Sequence, residues 1–195
     1  MIFSGSSKYK NNFEIASAVE SRGGYINGRT SRNYIYFEVK VATEYAEEMF
    51  QLLSDMVMHP LLRGEDVTKD KEIVVREIHR NTDNPARWSG KLAYARVFEG
   101  HPLANDPLGS EESVLGADIS RLRSYYKRFF IPERAAVITA GGLKHQIVEK
   151  LTEKCFASWR SSVSIEREQE VAPPPKSSNY FFEKRDIGET YLHFN

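Results

Sequence analysis

A chain of 195 residues with 41% hydrophobic and 28% charged side chains has the composition of a globular domain with its own core, not that of a disordered or fibrous chain. Lys plus Arg and Asp plus Glu number 27 each, so no net field points to nucleic acid or to an anionic membrane surface as partner. The single cysteine, Cys155, excludes an internal disulfide, and no run approaches the ~20 apolar residues of a membrane-spanning helix.

In chain order, Phe13, Ile15, Ala16, Ala18 and Val19 recur near helical spacing within residues 8–21, and Gly23-Gly24 supplies a stop, so a first helix ends near Arg22. Residues 25–29 and 33–41, with Tyr34, Tyr36 and the β-branched Ile35, Val39 and Val41, read as two strands around the polar turn Thr30-Ser31-Arg32. Thr43 can cap a helix whose broad apolar face carries Tyr45, Ala46, Met49, Phe50, Leu52, Leu53, Met56 and Val57, and His59-Pro60 ends it. Residues 64–81 set Val67, Ile73, Val74, Val75 and Ile78 among acidic and basic residues, which predicts a long helix with one buried side. Residues 85–98 and 118–130 add two helices, the second with Asp118 or Ser120 near its start and Pro132 past its end.

Residues 135–140 form a short apolar run that predicts a strand closed by Gly141-Gly142, and 144–156 predict a helix in which Cys155 is a small buried hydrophobe rather than a nucleophile. Residues 166–170 read as a charged loop and Pro173-Pro174-Pro175 as an extended spacer, before two further strands at 179–183 and 190–195. The expected organisation is an α/β domain over 1–171, a Pro-rich linker over 172–178, and strands over 179–195 leading into a following domain. The apolar ends, Met1-Ile2-Phe3 and Phe194, predict a fragment of something longer, with any targeting signal outside it.

The strongest chemical constellation is Asp70 and Glu77 on the long helix. Seven residues at ~100° each return Glu77 to within about 20° of Asp70, two turns along one face. Glu65, Asp66 and Glu72 add acid nearby, and on composition alone such a helix reads as a solvated charged face. His79, two positions after Glu77, points to another side and is a poor co-ligand.

An ordered set of short segments changes that reading. These are Met1 to Gly5; Glu20-Ser21-Arg22-Gly23-Gly24-Tyr25-Ile26-Asn27 leading to Thr30-Ser31; Val74-Val75-Arg76-Glu77-Ile78 with Asn84-Pro85; His101-Pro102-Leu103 followed by Gly109; and Tyr125-Tyr126-Lys127-Arg128 with Pro132 and Gly141. Together they resemble the N-terminal catalytic half-domain of the pitrilysin/insulinase family of zinc metallopeptidases, which includes the mitochondrial processing peptidases. That family carries an inverted His-x-x-Glu-His motif, in which two histidines bind zinc on one helix face and the intervening Glu activates the bound water. Its last zinc ligand is a Glu about 76 residues beyond the second His. A His directly before Met1 puts that ligand at Glu77.

The resemblance implies a two-layer sandwich of the α/β (α+β) class, a mostly antiparallel sheet with helices packed on one side, truncated at its N-terminus. It implies that Asp70, where relatives usually have Glu, orients the site, and that Asn27 and Gly28, the latter where relatives commonly have Ala, lie on an edge strand to which substrate adds as a further strand. No His-x-x-Glu-His occurs in the 195 residues, and none of His59, His79, His101, His145 or His193 has a His partner at spacing four. The implied function is therefore a fragment of a zinc metalloendopeptidase that hydrolyses peptide bonds in polypeptides. The parent holds zinc, while this chain alone binds none and is inactive. The alternative is a non-catalytic relative acting as a structural or substrate-presenting partner subunit. Expected partners are a polypeptide substrate, a second half-domain of the same family and possible pairing as a homodimer through an exposed sheet edge.

Overall fold

Asn11 Oδ1 accepts a hydrogen bond from the Glu14 N–H at 2.9 Å and so starts α1 (Asn12–Glu20), the first helix of the computed structural model, which describes residues 1–161 and 180–193. Gly23 N–H and Gly24 N–H bond back to the carbonyls of Glu20 and Val19, with Gly23 at φ 66, the left-handed conformation that lets the chain leave the helix. It enters β1 (Tyr25–Thr30), which pairs with β2 (Ile35–Lys40) as a two-stranded antiparallel sheet. Across the turn the Ser31 N–H donates to the Tyr34 carbonyl at 2.8 Å. That bond sets Ile26 opposite Val39 and Gly28 opposite Phe37, and the alternation of an antiparallel ladder makes both the close pairs without mutual backbone bonds.

The inner face of this hairpin meets two helices. Ile15 and Val19 of α1 and Met49, Leu52 and Met56 of α2 (Ala46–Met58) form the buried core, with Ile2, Phe3, Tyr9, Ala18, Ile26, Val39 and Val41 packed against it. Apolar positions at helical spacing on α1 and α2 thus cover alternate positions on the strands, which is the expected α/β layering. Next come α3 (Gly64–Asp83), α4 (Pro85–Val97), the short α5 (Glu111–Leu115), α6 (Ile119–Phe129) and α7 (His145–Phe156). None of the described helices is long and apolar enough to cross a membrane.

Internal contacts divide the chain into two units, one of Met1–Arg29, Ile35–Asp70 and Ala117–Glu166, the other of Thr30–Tyr34, Lys71–Gly116 and Arg167–Asn195. In the first, α7 packs on α2, and Lys154 Nζ reaches Glu47 Oε1 at 2.6 Å. Tyr126 of α6 donates its hydroxyl to the carbonyls of Val57 and Met58 at 2.7 and 2.9 Å, capping the end of α2, and burial pushes its phenol up to about 12. Asp55, buried on α2, receives Ser6 Oγ, Ser7 Oγ and the Lys8 N–H, while Arg63 donates to the carbonyls of Ser4 and Lys10. In the second unit, residues 180–193 run beside α4: Trp88 Nε1 donates to Glu183 at 2.8 Å, and the Arg96 guanidinium covers the Phe181 ring at 4.3 Å.

Several sequence expectations are corrected. Thr43 does not cap α2 through its side chain; it opens a 3₁₀ turn, Thr43–Tyr45, that leads into the helix. Residues 135–140 form no strand. They are exposed, with Ile138 at 89%, and the backbone groups of 136–140 bond to no other backbone group among the described residues, because a β-prone run becomes a strand only beside a partner. Residues 180–183 and 190–193 likewise join no sheet and are held by side chains; Asn179, Phe194 and Asn195 lie outside the described residues, as do the charged loop 166–170 and Pro173–Pro175. Cys155 is half-buried rather than buried, and burial pushes its thiol up, away from nucleophilic character.

Burial alone would raise the Asp55 carboxyl, but the bonds from Ser6, Ser7 and Lys8 outweigh it and hold it below the usual carboxylate range. A depressed folded pKa contributes stability that is present above the unfolded value, about 3.9, and is lost as pH falls through the folded one. Asp55→Ala is expected to cost about 2–4 kcal/mol at neutral pH, since it leaves buried donors unpaired. Thermal melts from pH 7 to pH 3 should show the gap between wild type and variant closing toward the acid end.

Candidate functional site

The long amphipathic pattern after Arg63 gives one continuous helix, α3, that carries both Asp70 and Glu77. Seven residues in an α-helix amount to a rise of about 10 Å and nearly two turns, so the two carboxylates follow one face. Glu77 is half-buried, and its side chain has no hydrogen bond or ion pair among the described residues. Asp70 Oδ2 stands 3.0 Å from the Met1 nitrogen, an ion pair by distance that lacks hydrogen-bond geometry. The start of the chain therefore lies against α3 at Asp70.

Asn27 and Gly28 sit in the middle of β1. The register turns Tyr25, Asn27 and Arg29 to the exposed face, and Ile26 and Gly28 toward the core. Backbone groups of the close pairs point away from the partner strand, so the N–H and C=O of Ile26 and Gly28 form the outer edge of the hairpin. Glycine at 28 has a steric reason: a Cβ there would stand 2.6 Å from Phe3 Cε2 and 3.1 Å from Phe37 Cδ1, and the Phe3 and Phe37 rings meet edge-on at 5.7 Å.

Glu77 by itself does not make a metal site. Among the described residues no group of three or more His, Cys, Asp or Glu side chains comes together in a way that could hold a metal ion, and a catalytic zinc needs three protein ligands. His79 is committed elsewhere, with Nε2 2.8 Å from Glu111 Oε2 on the exposed surface. The open groove at the end of α3, about 500 Å³, is lined by Arg76, His79, Arg80, Asp83, Asn84 and Pro85 and does not include Glu77. Phe3 lies against Gly28, a placement not read from the sequence, and the segment that follows it is held by Asp55. An acidic residue between Leu52 and Met56 on an apolar helix face was the available signal.

Residues 1–111, more than half of the chain, match the family described as Insulinase (Peptidase family M16), and residues 117–194 match the Peptidase M16 inactive domain. The chain is 27% identical over 186 residues to the uncharacterized zinc protease ML0855 of Mycobacterium leprae, covering 92% of this chain and 41% of that protein. It is 28% identical over 155 residues to cytochrome b-c1 complex subunit 1 of Rattus norvegicus, covering 80% of this chain and 32% of that protein. The crystal structure of a protease from Helicobacter pylori superposes with a TM-score of 0.75 over 89% of this chain and 41% of that chain at 20% identity, a likeness of fold. The chain thus spans less than half the length of these relatives.

Gly28→Ala is expected to cost about 1–2 kcal/mol, because the Phe3 ring must move away from a packed position. Chemical denaturation of Gly28→Ala, Phe3→Leu and the double variant should give a coupling of at least about 0.5 kcal/mol. Additive effects would show that the two positions do not press on each other.

Proposed function

As the chain belongs to the insulinase family of peptidases, family M16, we propose that it is part of a zinc metalloendopeptidase that hydrolyses peptide bonds in extended polypeptides, and that it supplies one metal ligand and the peptide-binding edge. The supporting observation is Glu77, a half-buried carboxylate without a polar partner among the described residues, within the segment that matches the family. In this reading Glu77 completes a zinc site whose two histidines and general base belong to a His-x-x-Glu-His segment not found in the 195 residues. The chain by itself is then inactive and holds no zinc. Asp70, on the same face of α3, orients the site. Asn27 and Gly28 receive substrate, whose backbone adds along the outer edge of β1.

The exposed run at 135–140, where the backbone of 136–140 has no backbone partner among the described residues, supports association with a second half-domain of the same family, or with a second copy of the chain. A second reading, a non-catalytic partner subunit, is favoured by the match of residues 117–194 to a domain described as inactive and by the likeness to a cytochrome b-c1 complex subunit.

The two readings differ in what Glu77 does. In a polypeptide carrying His-x-x-Glu-His directly before Met1, the first expects bound zinc and hydrolysis of an unfolded peptide. Glu77→Gln should then lower activity by about 10³-fold and Asp70→Asn by about 10–100-fold. Activity unchanged by Glu77→Gln would overturn the assignment. A complex in which this chain is required for cleavage, with Glu77→Gln still active, would establish the second.

A further inference from the structure

The outer edge of β1 is not open in this structure. The Ser31–Tyr34 bond fixes which backbone groups face β2 and which face outward, and by that register the Gly28 N–H is an outward donor. It is already used: the Asn27 side chain folds back, and its Oδ1 accepts from the Gly28 N–H at 2.9 Å. A carboxamide on the exposed face thus satisfies the central donor of the edge that a peptide would need. Unpaired edge donors invite association with any extended chain, and covering one with a local side chain blunts that tendency.

We propose that Asn27 is a latch on the substrate edge: an incoming peptide must displace Asn27 Oδ1 from the Gly28 N–H and replace it with its own backbone carbonyl. The inference rests on the reading of β1 as a peptide-binding edge. The exchange conserves hydrogen bonds at Gly28, one acceptor for another, so its cost is the rotation and rehydration of one exposed carboxamide. Displacement is favourable only when the peptide makes the neighbouring edge bonds at Ile26 as well, because a single traded bond brings no net gain. The latch therefore selects for segments that lie extended along the whole edge and against those that touch it at one carbonyl. A segment with proline at the residue whose N–H meets the Ile26 or Gly28 carbonyl loses that second bond and does not open it.

Gly28 has a second part in the device. Its face toward the core is closed by Phe3 and Phe37, so the β1 backbone cannot recoil inward when a peptide arrives. The side chain of Asn27, exposed and free of other bonds among the described residues, is the part that moves.

The test uses this chain, its Asn27→Ala and Asn27→Asp variants, and two measurements. Amide hydrogen exchange at Gly28, read by NMR on glycine-labelled protein, is expected to be about fivefold faster in Asn27→Ala than in wild type, and no faster in Asn27→Asp, whose carboxylate still accepts. Fluorescence anisotropy with a labelled, proline-free, Val/Thr-rich peptide is expected to show binding about fivefold tighter to Asn27→Ala and weaker to Asn27→Asp. Equal or weaker binding to Asn27→Ala overturns the latch. Equal Gly28 exchange in Asn27→Ala and wild type overturns it too, whatever the peptide does. Failure of all three proteins to bind the peptide, with Gly28 exchange still faster in Asn27→Ala, would instead count against β1 as a peptide-binding edge and leave the latch as protection of a bare edge. Asn27 is exposed, so the variants keep the core, and matching thermal melts would establish that.

Discussion

The first ten residues have no regular strand or long helix of their own, and what fixes them is the buried carboxylate of Asp55. An ionised side chain on the apolar face of α2 is tolerable only if its oxygens are fully occupied, and Ser6, Ser7 and the Lys8 N–H occupy them. Arg63 completes the clamp from the other side by taking the carbonyls of Ser4 and Lys10, with Asp66 holding its guanidinium at 2.8 Å. Neither side chain has a hydrogen bond or ion pair to the hairpin among the described residues. They hold residues 4–10, the segment that follows Phe3, and Phe3 with Phe37 leaves residue 28 no room for a side chain. The path from a buried charge on one helix to the backbone of an edge strand is a chain of contacts, each of which can be removed separately.

A two-stranded hairpin is marginal in isolation. Here one face is covered by α1 and α2, and the close cross-strand pairs, Ile26 with Val39 and Gly28 with Phe37, put their side chains on that covered face. A slip of β2 by one residue would turn Val39 and Phe37 outward, so burial and the Ser31–Tyr34 turn bond specify the same register. Residues 135–140 show the opposite case. Their Val137-Ile138-Thr139 centre is β-prone, but the backbone of 136–140 meets no other backbone group among the described residues, and the run stays exposed. Propensity proposes a strand and pairing decides it.

The sequence made legible whatever depends on local chemistry. The helix start at Asp118, the Gly23-Gly24 stop, the hairpin about Thr30-Ser31-Arg32 and the long helix bearing Asp70 and Glu77 all follow from caps, turns and periodicity. What it hid depends on partners distant in sequence. Asp55 lies 49 residues from Ser6, and the aromatic contact that excludes a Cβ at Gly28 joins residues 3 and 37. The Thr43 cap failed for a local reason, since the chain chose a 3₁₀ turn as its way into α2 and left the hydroxyl without a helix N–H to accept. The fold-back of Asn27 onto Gly28 is a rotamer choice, which no periodicity or spacing encodes.

Asp55 and Glu77 together separate what the fold needs from what it merely carries. Asp55 is more deeply buried and fully partnered, and the placement of residues 4–10 accounts for it without any ligand. Glu77 is half-buried and unpartnered among the described residues, so partial desolvation costs it something with no return inside the described fold. A glutamine of the same size would occupy that helix position without the charge, and an alanine would serve the helix as well or better. Folding therefore gives no reason for a carboxylate at residue 77. On the reading proposed above, that carboxylate serves as a ligand to a cation. The contrast between the two acids supports placing Asp55 in the architecture and motivates testing Glu77 as the proposed ligand.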